Sequence, residues 1–191
     1  MKVGVLALQG AFARHLQVLG GLGAATTEVR TTNDLFEVDA LVLPGGESTT
    51  MSMLLDSSGL HDAVAERITK GMPVLGTCAG MILLARQVTD GRPDQRSFAA
   101  IDIDVQRNGY GRQVDSFEAD LDVSGLDEPF QGVFIRAPVV DWVGDGVEVL
   151  ATVDGRPVLC RQRAVVVASF HPEMSGDGRI HGRFLDTAFA A

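Results

Sequence analysis

The sequence predicts an α/β fold with a mixed, mostly parallel central sheet. Three observations lead there. The first half alternates short, continuously apolar runs with amphipathic segments, the order of a parallel sheet joined by crossover helices. After about residue 90, strand-like runs follow at short spacing, with turn signals at 108–111, 144–146 and 154–155, which is the texture of antiparallel pairing. No internal repeat, low-complexity segment or linker interrupts the chain, so residues 1–191 read as one domain, a length that supports a proper core.

The elements follow in order. Residues 2–8, KVGVLAL, form an unbroken apolar run, as in a strand buried on both faces. Residues 11–20 read as a helix closed by Gly20, Gly21 and Gly23, and 26–30 as a short strand. Residues 39–46, DALVLPGG, are a second buried strand running into a tight loop. Ser48 is suited to cap a helix over 49–57, because its hydroxyl can accept from backbone N–H groups of the first turn. A further helix covers 60–70 and stops at Gly71. Residues 73–78 form a strand and 79–87 a helix. Strands are then predicted over 99–107, 112–120, 131–136, 147–153, 156–162 and 165–170, before a closing helix over 178–189.

Composition excludes several functions. Hydrophobic residues make up 46% and charged residues 21%, a globular balance. The formal charge of −9 argues against a nucleic-acid surface or an anionic membrane, both of which need a basic patch. No apolar run reaches the roughly 18–20 residues of a membrane span. The first fifteen residues faintly resemble a secretory leader, but the apolar core is short, Gln9 and Arg14 interrupt it, and no cleavage-like site follows. Two cysteines give neither a disulfide framework nor metal-ligand spacing, so the expected setting is the reducing cytoplasm, with no metal or other cofactor.

Cys78 lies in Gly76-Thr77-Cys78-Ala79-Gly80, between two apolar runs. The pattern has the form of a nucleophile elbow with Cys in place of Ser. A strand that reverses into a helix within a few residues leaves the nucleophile in strained backbone, and small neighbours relieve the crowding. The following helix would aim its N-terminal dipole at the sulfur, favouring a thiolate, and would offer N–H groups to an oxyanion. A buried structural cysteine fits the same run, so the partners must decide. Cys160, alternating within PVLCRQ, reads as core.

Of the four histidines, His15, His61 and His181 fall in helical patterns beside polar residues and are assigned to solvated faces. His171 differs: it follows the buried run AVVVASF at a strand end, where α/β folds place their chemistry. Glu173 is two residues on, so an extended segment, held by Pro172, would project both to one side. A carboxylate beside a histidine fixes its tautomer and stabilises its cation, so the histidine can serve as base and then acid. Cys78, His171 and Glu173 thus make a complete triad by role. Alone, His-Pro-Glu could equally be a turn with a surface acid. A third loop, LPGGEST at 43–49, leaves a core strand at the same edge, and Gly45-Gly46 lets backbone approach a ligand closely. Its alternative is an ordinary capped turn.

Together these segments resemble the triad (class I) glutamine amidotransferases. More narrowly, the chain resembles the glutaminase subunits of two-component pyridoxal 5'-phosphate synthases. The narrower likeness rests on GVLALQGAF (4–12), PGGESTTM (44–51), GTCAGMILLA (76–85), RNGYGRQVDSFEADL (107–121), GVFIRAP (132–138) and SFHPEMSGDGRIH (169–181), which span nearly the whole chain. The resemblance implies a flavodoxin-like three-layer fold and hydrolysis of L-glutamine to glutamate and ammonia. Cys78 would attack the side-chain amide, His171 would protonate the departing ammonia and then activate water, and Glu173 would orient His171. N–H groups of Gly46 and Ala79 would hold the oxyanion. Gly46, Glu47, Ser48, Arg107, Ile135 and Arg136 match the glutamine-binding positions, and guanidinium groups suit an α-carboxylate. Without the resemblance, either arginine reads as a surface charge. Gln9-Gly10 matches a loop that helps complete the oxyanion site once a partner binds.

The implied partner is a (β/α)8 synthase subunit that combines the ammonia with ribose 5-phosphate and glyceraldehyde 3-phosphate, and without which the glutaminase is nearly idle. Departures are small: Gly109 stands where Ala or Ser is commoner and Met174 where Leu is, and 88–98 is variable. Three alternatives remain open from sequence: a glutaminase serving another ammonia acceptor, a cysteine peptidase on the same sheet, and a scaffold without activity. The arginine-bearing segments separate the first, independence from a partner the second, and the intact triad weighs against the third.

Overall fold

The computed structural model describes residues 2–107 and 116–189. The turn at 108–111, Gly109 and the first part of the strand expected over 112–120 lie outside them. Strand β1 (Lys2–Leu6) leads to α1 (Phe12–Gly21), β2 (Ala25–Val29), α2 (Thr32–Phe36), β3 (Ala40–Leu43), α3 (Ser48–Ser57), α4 (Leu60–Thr69), β4 (Val74–Thr77) and α5 (Ala79–Leu84). Strands β5 (Ala85–Val88), β6 (Ile101–Gln106), β7 (Phe117–Leu121), β8 (Phe130–Phe134), β9 (Val139–Val143), β10 (Glu148–Val153), β11 (Arg156–Gln162) and β12 (Val165–Ala168) follow. A 3-10 turn (Pro172–Met174) and α6 (Arg179–Phe189) close the chain.

The expected mixed α/β sheet is present. Among the described residues the central sheet has seven strands in the order β10-β11-β12-β4-β3-β1-β2. The run from β12 to β2 is parallel, and β10 and β11 add an antiparallel edge. Two small sheets flank it, β5-β6-β9 and β7-β8. Alternate residues of the parallel strands enter opposite cores. Leu41, Leu43, Val165 and Val167 pack with Met51, Leu55, Met81 and Ile103. Ala40, Val42, Val166 and Ala168 pack with Leu19, Phe130, Phe134 and Phe184. Layers on both faces explain why these strands read as unbroken apolar runs. No helix among the described residues is long and apolar enough to cross a membrane.

Several local expectations are corrected. Ser48 does not cap α3; Glu47 does, its carboxylate accepting from Thr49 N–H at 3.2 Å and Thr50 N–H at 2.6 Å, and Ser48 becomes the first helical residue. The helix expected over 79–87 stops at Leu84, because Ala85 turns extended and Ala85–Val88 pairs in parallel with β6. There Arg86 binds Asp104 through two hydrogen bonds of 2.9 and 2.7 Å and lies over Trp142, so tertiary pairing overrides helix propensity. Helix α2 was not expected; a capping box between Thr31 and Asp34 starts it. Strand β9 was not expected either, and the strand placed over 131–136 ends at Phe134, so Ile135 and Arg136 belong to a loop. The segment after His171 is not extended: it turns directly into the 3-10 turn.

Parallel pairing places the C-terminal ends of β1, β3, β4 and β12 at one edge. Leu43 is in register with Gly76, and Thr77 with Ala168. The loops that begin there hold Gln9, Gly45–Glu47, Cys78 and His171. This is the edge where open parallel sheets bind ligands.

Candidate active site

Cys78 stands between β4 and α5 with φ 48° and ψ −106°, a strained conformation for a residue with a side chain. Its neighbours explain the glycines. A Cβ on Gly80 would lie 2.0 Å from the Leu43 carbonyl oxygen, and one on Gly76 would lie 2.5 Å from Leu84 Cδ1. Only glycine lets strand, turn and helix approach this closely. The Cys78 N–H donates to Ala168 O at 2.8 Å, tying the elbow to β12, and Cys78 Sγ faces Ile135 O at 4.0 Å.

His171 is held from behind. Its N–H donates to Val133 O at 2.8 Å, and its Nδ1 is 2.7 Å from Glu173 Oε1. The ring and Cys78 line the same cavity. With Nδ1 engaged by Glu173, the nitrogen left for the thiol is Nε2. Burial by itself would pull the His171 pKa down, but the bonds and charges of Cys78 and Glu173 outweigh burial and raise it to about 10. Burial pushes the Glu173 carboxyl up, but the His171 hydrogen bond and the charges of His15 and His171 together outweigh it, so it stays below the usual carboxylate range. The 3-10 turn, rather than an extended segment, brings the Glu173 carboxylate back to the ring.

These groups open on a cavity of about 470 Å³. Gly46, Glu47, Ser48, Cys78, Arg107, Ile135, Arg136 and His171 all line it, together with Gln9 and Gly10. Glu173 lies behind His171 and is buried, as is Ala79 immediately after the nucleophile. Arg107 Nη2 is 2.9 Å from Glu47 Oε1, so the two expected ligand-binding side chains meet each other. Arg136 adopts φ 44°, a second strained residue at the rim. The Gln9 loop is fastened to the glycine loop: Gln9 Oε1 accepts from Glu47 N–H at 2.9 Å, and Gly45 O accepts from Ala11 N–H at 3.0 Å.

The other histidines are corrected. His15, His61 and His181 are buried rather than solvated. His61 stacks on Phe98, with centroids 4.6 Å apart. His15 reaches the triad, with Nε2 3.4 Å from Glu173 Oε2, and its Nδ1 is 2.9 Å from His181 Nε2. Sequence reasoning missed this pair, although a sign was available: His15 shares a helix face with Leu19, and His181 with Phe184, and both partners are core residues. Cys160 is buried, as expected, and burial pushes its thiol up to about 12.

A cysteine at a strained elbow, a histidine and a buried carboxylate beside a cavity with a guanidinium are an arrangement suited to acyl transfer on a small polar substrate. Residues 5–189 match the model of the SNO glutamine amidotransferase family. A curated protein of Mycobacteroides abscessus, "Pyridoxal 5'-phosphate synthase subunit PdxT", is 54% identical over 184 residues, covering 96% of this chain and 95% of the relative. A protein of the same name from Salinispora arenicola is 53% identical over 195 residues, covering 99% and 97%. A solved structure described as "Crystal structure of glutamine amidotransferase" superposes with a TM-score of 0.92 at 49% identity, over 97% of this chain and 98% of that one. The elbow, its histidine and its buried carboxylate thus sit in a chain that belongs to the SNO glutamine amidotransferase family.

Proposed function

We propose that this chain, as a single class I glutamine amidotransferase domain, hydrolyses L-glutamine to L-glutamate and ammonia and delivers the ammonia to a pyridoxal 5'-phosphate synthase subunit of (β/α)8 fold. The observation that carries the reading is the His171 ring, held by Glu173 at 2.7 Å on one nitrogen and lining the same cavity as Cys78 at the elbow. Family membership and relatives named as pyridoxal 5'-phosphate synthase subunits support the substrate and the partner.

In this mechanism the Cys78 thiol passes its proton to His171 Nε2 and Sγ attacks the side-chain amide carbon, while the carbonyl oxygen becomes an oxyanion met by the N–H groups of Gly46 and Ala79. The carbon–nitrogen bond breaks as His171 gives its Nε2 proton to the departing nitrogen, leaving a γ-glutamyl thioester. Water then loses a proton to His171 and attacks the thioester carbon. Glutamate leaves and Cys78 is restored. Glu173 keeps the imidazole aimed and stabilises its cation. Arg107 and Arg136 receive the α-carboxylate, with Glu47, Ser48 and Ile135 shaping the remainder. A reducing, cytoplasmic setting goes with a thiol nucleophile.

The test is glutamate release from L-glutamine, with and without a purified synthase subunit, beside Cys78→Ala. Activity that requires both the partner and the thiol supports the proposal. Strong activity without partner would keep the triad and remove the gated-subunit assignment. Activity that survives in Cys78→Ala would overturn the mechanism.

A further inference from the structure

Glu173 has two carboxylate oxygens, and the triad accounts for one. Oε1 faces His171 at 2.7 Å. Oε2 is fully buried and has no hydrogen-bond partner within the usual distance among the described residues. A buried carboxylate oxygen without a donor is costly and pushes a carboxyl toward its neutral form. The group facing Oε2 is His15 Nε2, at 3.4 Å, from the first turn of α1. Thr77 Oγ1 is 3.2 Å from the same nitrogen. Behind it, His181 of α6 places Nε2 at 2.9 Å from His15 Nδ1, with the rings tilted at 53°. His15 and His181 have no exposed surface.

Proton counting selects one arrangement. Burial holds both histidines below the ordinary value, His181 at about 3, so each is neutral and carries one N–H. The short contact between them needs one donor and one acceptor. If His15 donated from Nδ1, its bare Nε2 could accept from the Thr77 hydroxyl but would leave Glu173 Oε2 facing a lone pair and no donor. His181 would then carry its proton on Nδ1, a buried donor with no partner among the described residues. If His181 donates from Nε2, His15 carries its proton on Nε2, hydrogen-bonded to Thr77 Oγ1 at 3.2 Å and with Glu173 Oε2 at 3.4 Å as its other neighbour. The only group then left without a partner is a bare acceptor, His181 Nδ1, which costs less than an orphaned N–H.

We propose that His15 is a positioning residue, held in its Nε2–H tautomer by His181, that donates to Glu173 Oε2 and keeps that carboxylate ionised and turned toward His171. The titratable groups around Glu173 from each packed element are His15 of α1, His171 after β12, His181 of α6 and, beyond His171, Cys78 after β4. The proposal rests on the glutaminase reading only for its effect on turnover; the tautomers stand apart from it.

Two measurements separate these. Nitrogen-15 NMR of the imidazoles in the wild-type protein at neutral pH should show His15 and His181 both protonated on Nε2 only. A His15 proton on Nδ1, or a cationic His15, overturns the proposal whatever the activity. The second is the pH profile of kcat/KM for glutamine in the complex with the synthase subunit. His15→Leu removes the donor, so Glu173 takes up its proton more readily and the acid limb moves upward by about one pH unit, near tenfold in rate on that limb. His15→Gln, which keeps an N–H in reach, should recover most of the shift. In a Glu173→Gln background His15→Leu should add nothing. An unmoved acid limb in folded His15→Leu, or the same shift with Glu173 replaced, refutes the role. Should His15→Leu fail to fold, His181→Leu is read the same way, with a smaller shift in the same direction expected. If the wild-type complex releases no glutamate, or Cys78→Ala still does, the proposed function fails while the tautomers remain readable.

Discussion

Glu47 uses one carboxylate for two tasks: it caps α3, and it holds Arg107 at 2.9 Å across the cavity. Helix start and substrate site are therefore joined through a single side chain. Arg107 meets a carboxylate already, and an amino acid's own α-carboxylate would compete for the same guanidinium. Arg107→Ala should raise the KM for glutamine at least about tenfold, as expected for losing a charge-assisted hydrogen bond. The kcat should change far less, because a charge that only holds the α-carboxylate acts on binding; steady-state kinetics in the complex check this. Glu47→Ala should in addition lower stability by about 1 kcal/mol through the lost cap, read by denaturant unfolding.

Gly45 packs against the catalytic ring. A Cβ there would lie 2.3 Å from His171 Cε1 and 3.3 Å from Cys78 Cβ. Gly45→Ala should displace His171 and depress kcat by two orders of magnitude or so, the scale set by misplacing a catalytic group by about 1 Å. Gly80→Ala is different in kind. Its Cβ would strike the Leu43 carbonyl, which is backbone and cannot swing aside, so the expected result is lost stability of about 1–3 kcal/mol or more. Thermal melts and turnover measured together distinguish the two.

Stability should fall on both sides of neutral pH, for separate reasons. His171 is raised to about 10, so its contribution is whole below the ordinary value of 6.5 and is lost as pH rises through 10. His15 and His181 are lowered, so theirs is whole above 6.5 and is lost as pH falls, each with a slope of at most about 1.4 kcal/mol per pH unit. Glu173 adds to the acid side, since its lowered carboxyl stabilises the fold only while ionised. Urea midpoints from pH 3 to 10 test this: His171→Gln should flatten the alkaline decline and leave a decline on the acid side.

The two thiols should be chemically distinct. Cys78 opens on the cavity, and Cys160 is buried in β11 with its thiol pushed up to about 12. Iodoacetamide on the folded protein should label one site per chain, at Cys78, as mass spectrometry would show. Labelling of Cys160 before unfolding would contradict the packing of β11.

Much of the fold was legible because the parallel strands lie between two cores. Residues such as Leu41, Val42 and Leu43 are apolar at every position, and that run needs no partner to be recognised. The elbow was legible for a related reason: strain at Cys78 demands small neighbours, and Gly76 and Gly80 stand in the sequence. What escaped depends on partners distant in the chain. Ala85–Val88 looks helical until Asp104 and Trp142 draw Arg86 into a sheet. His15 looks like a polar residue on a surface helix until Glu173 and His181 arrive from the last twenty residues. The Ser48 cap was misplaced by one position because the neighbouring Glu47 carboxylate reaches two N–H groups at once.

The bond from Cys78 N–H to Ala168 O has a consequence in time. During synthesis the elbow leaves the ribosome long before β12, so β4 at first has β3 on one side and nothing on the other. Cys78 is made early, while the strand that braces it and His171 beside it are made late. A nascent or truncated chain therefore carries an idle thiol and consumes no glutamine. The elbow gains this brace only when β12 pairs beside Thr77.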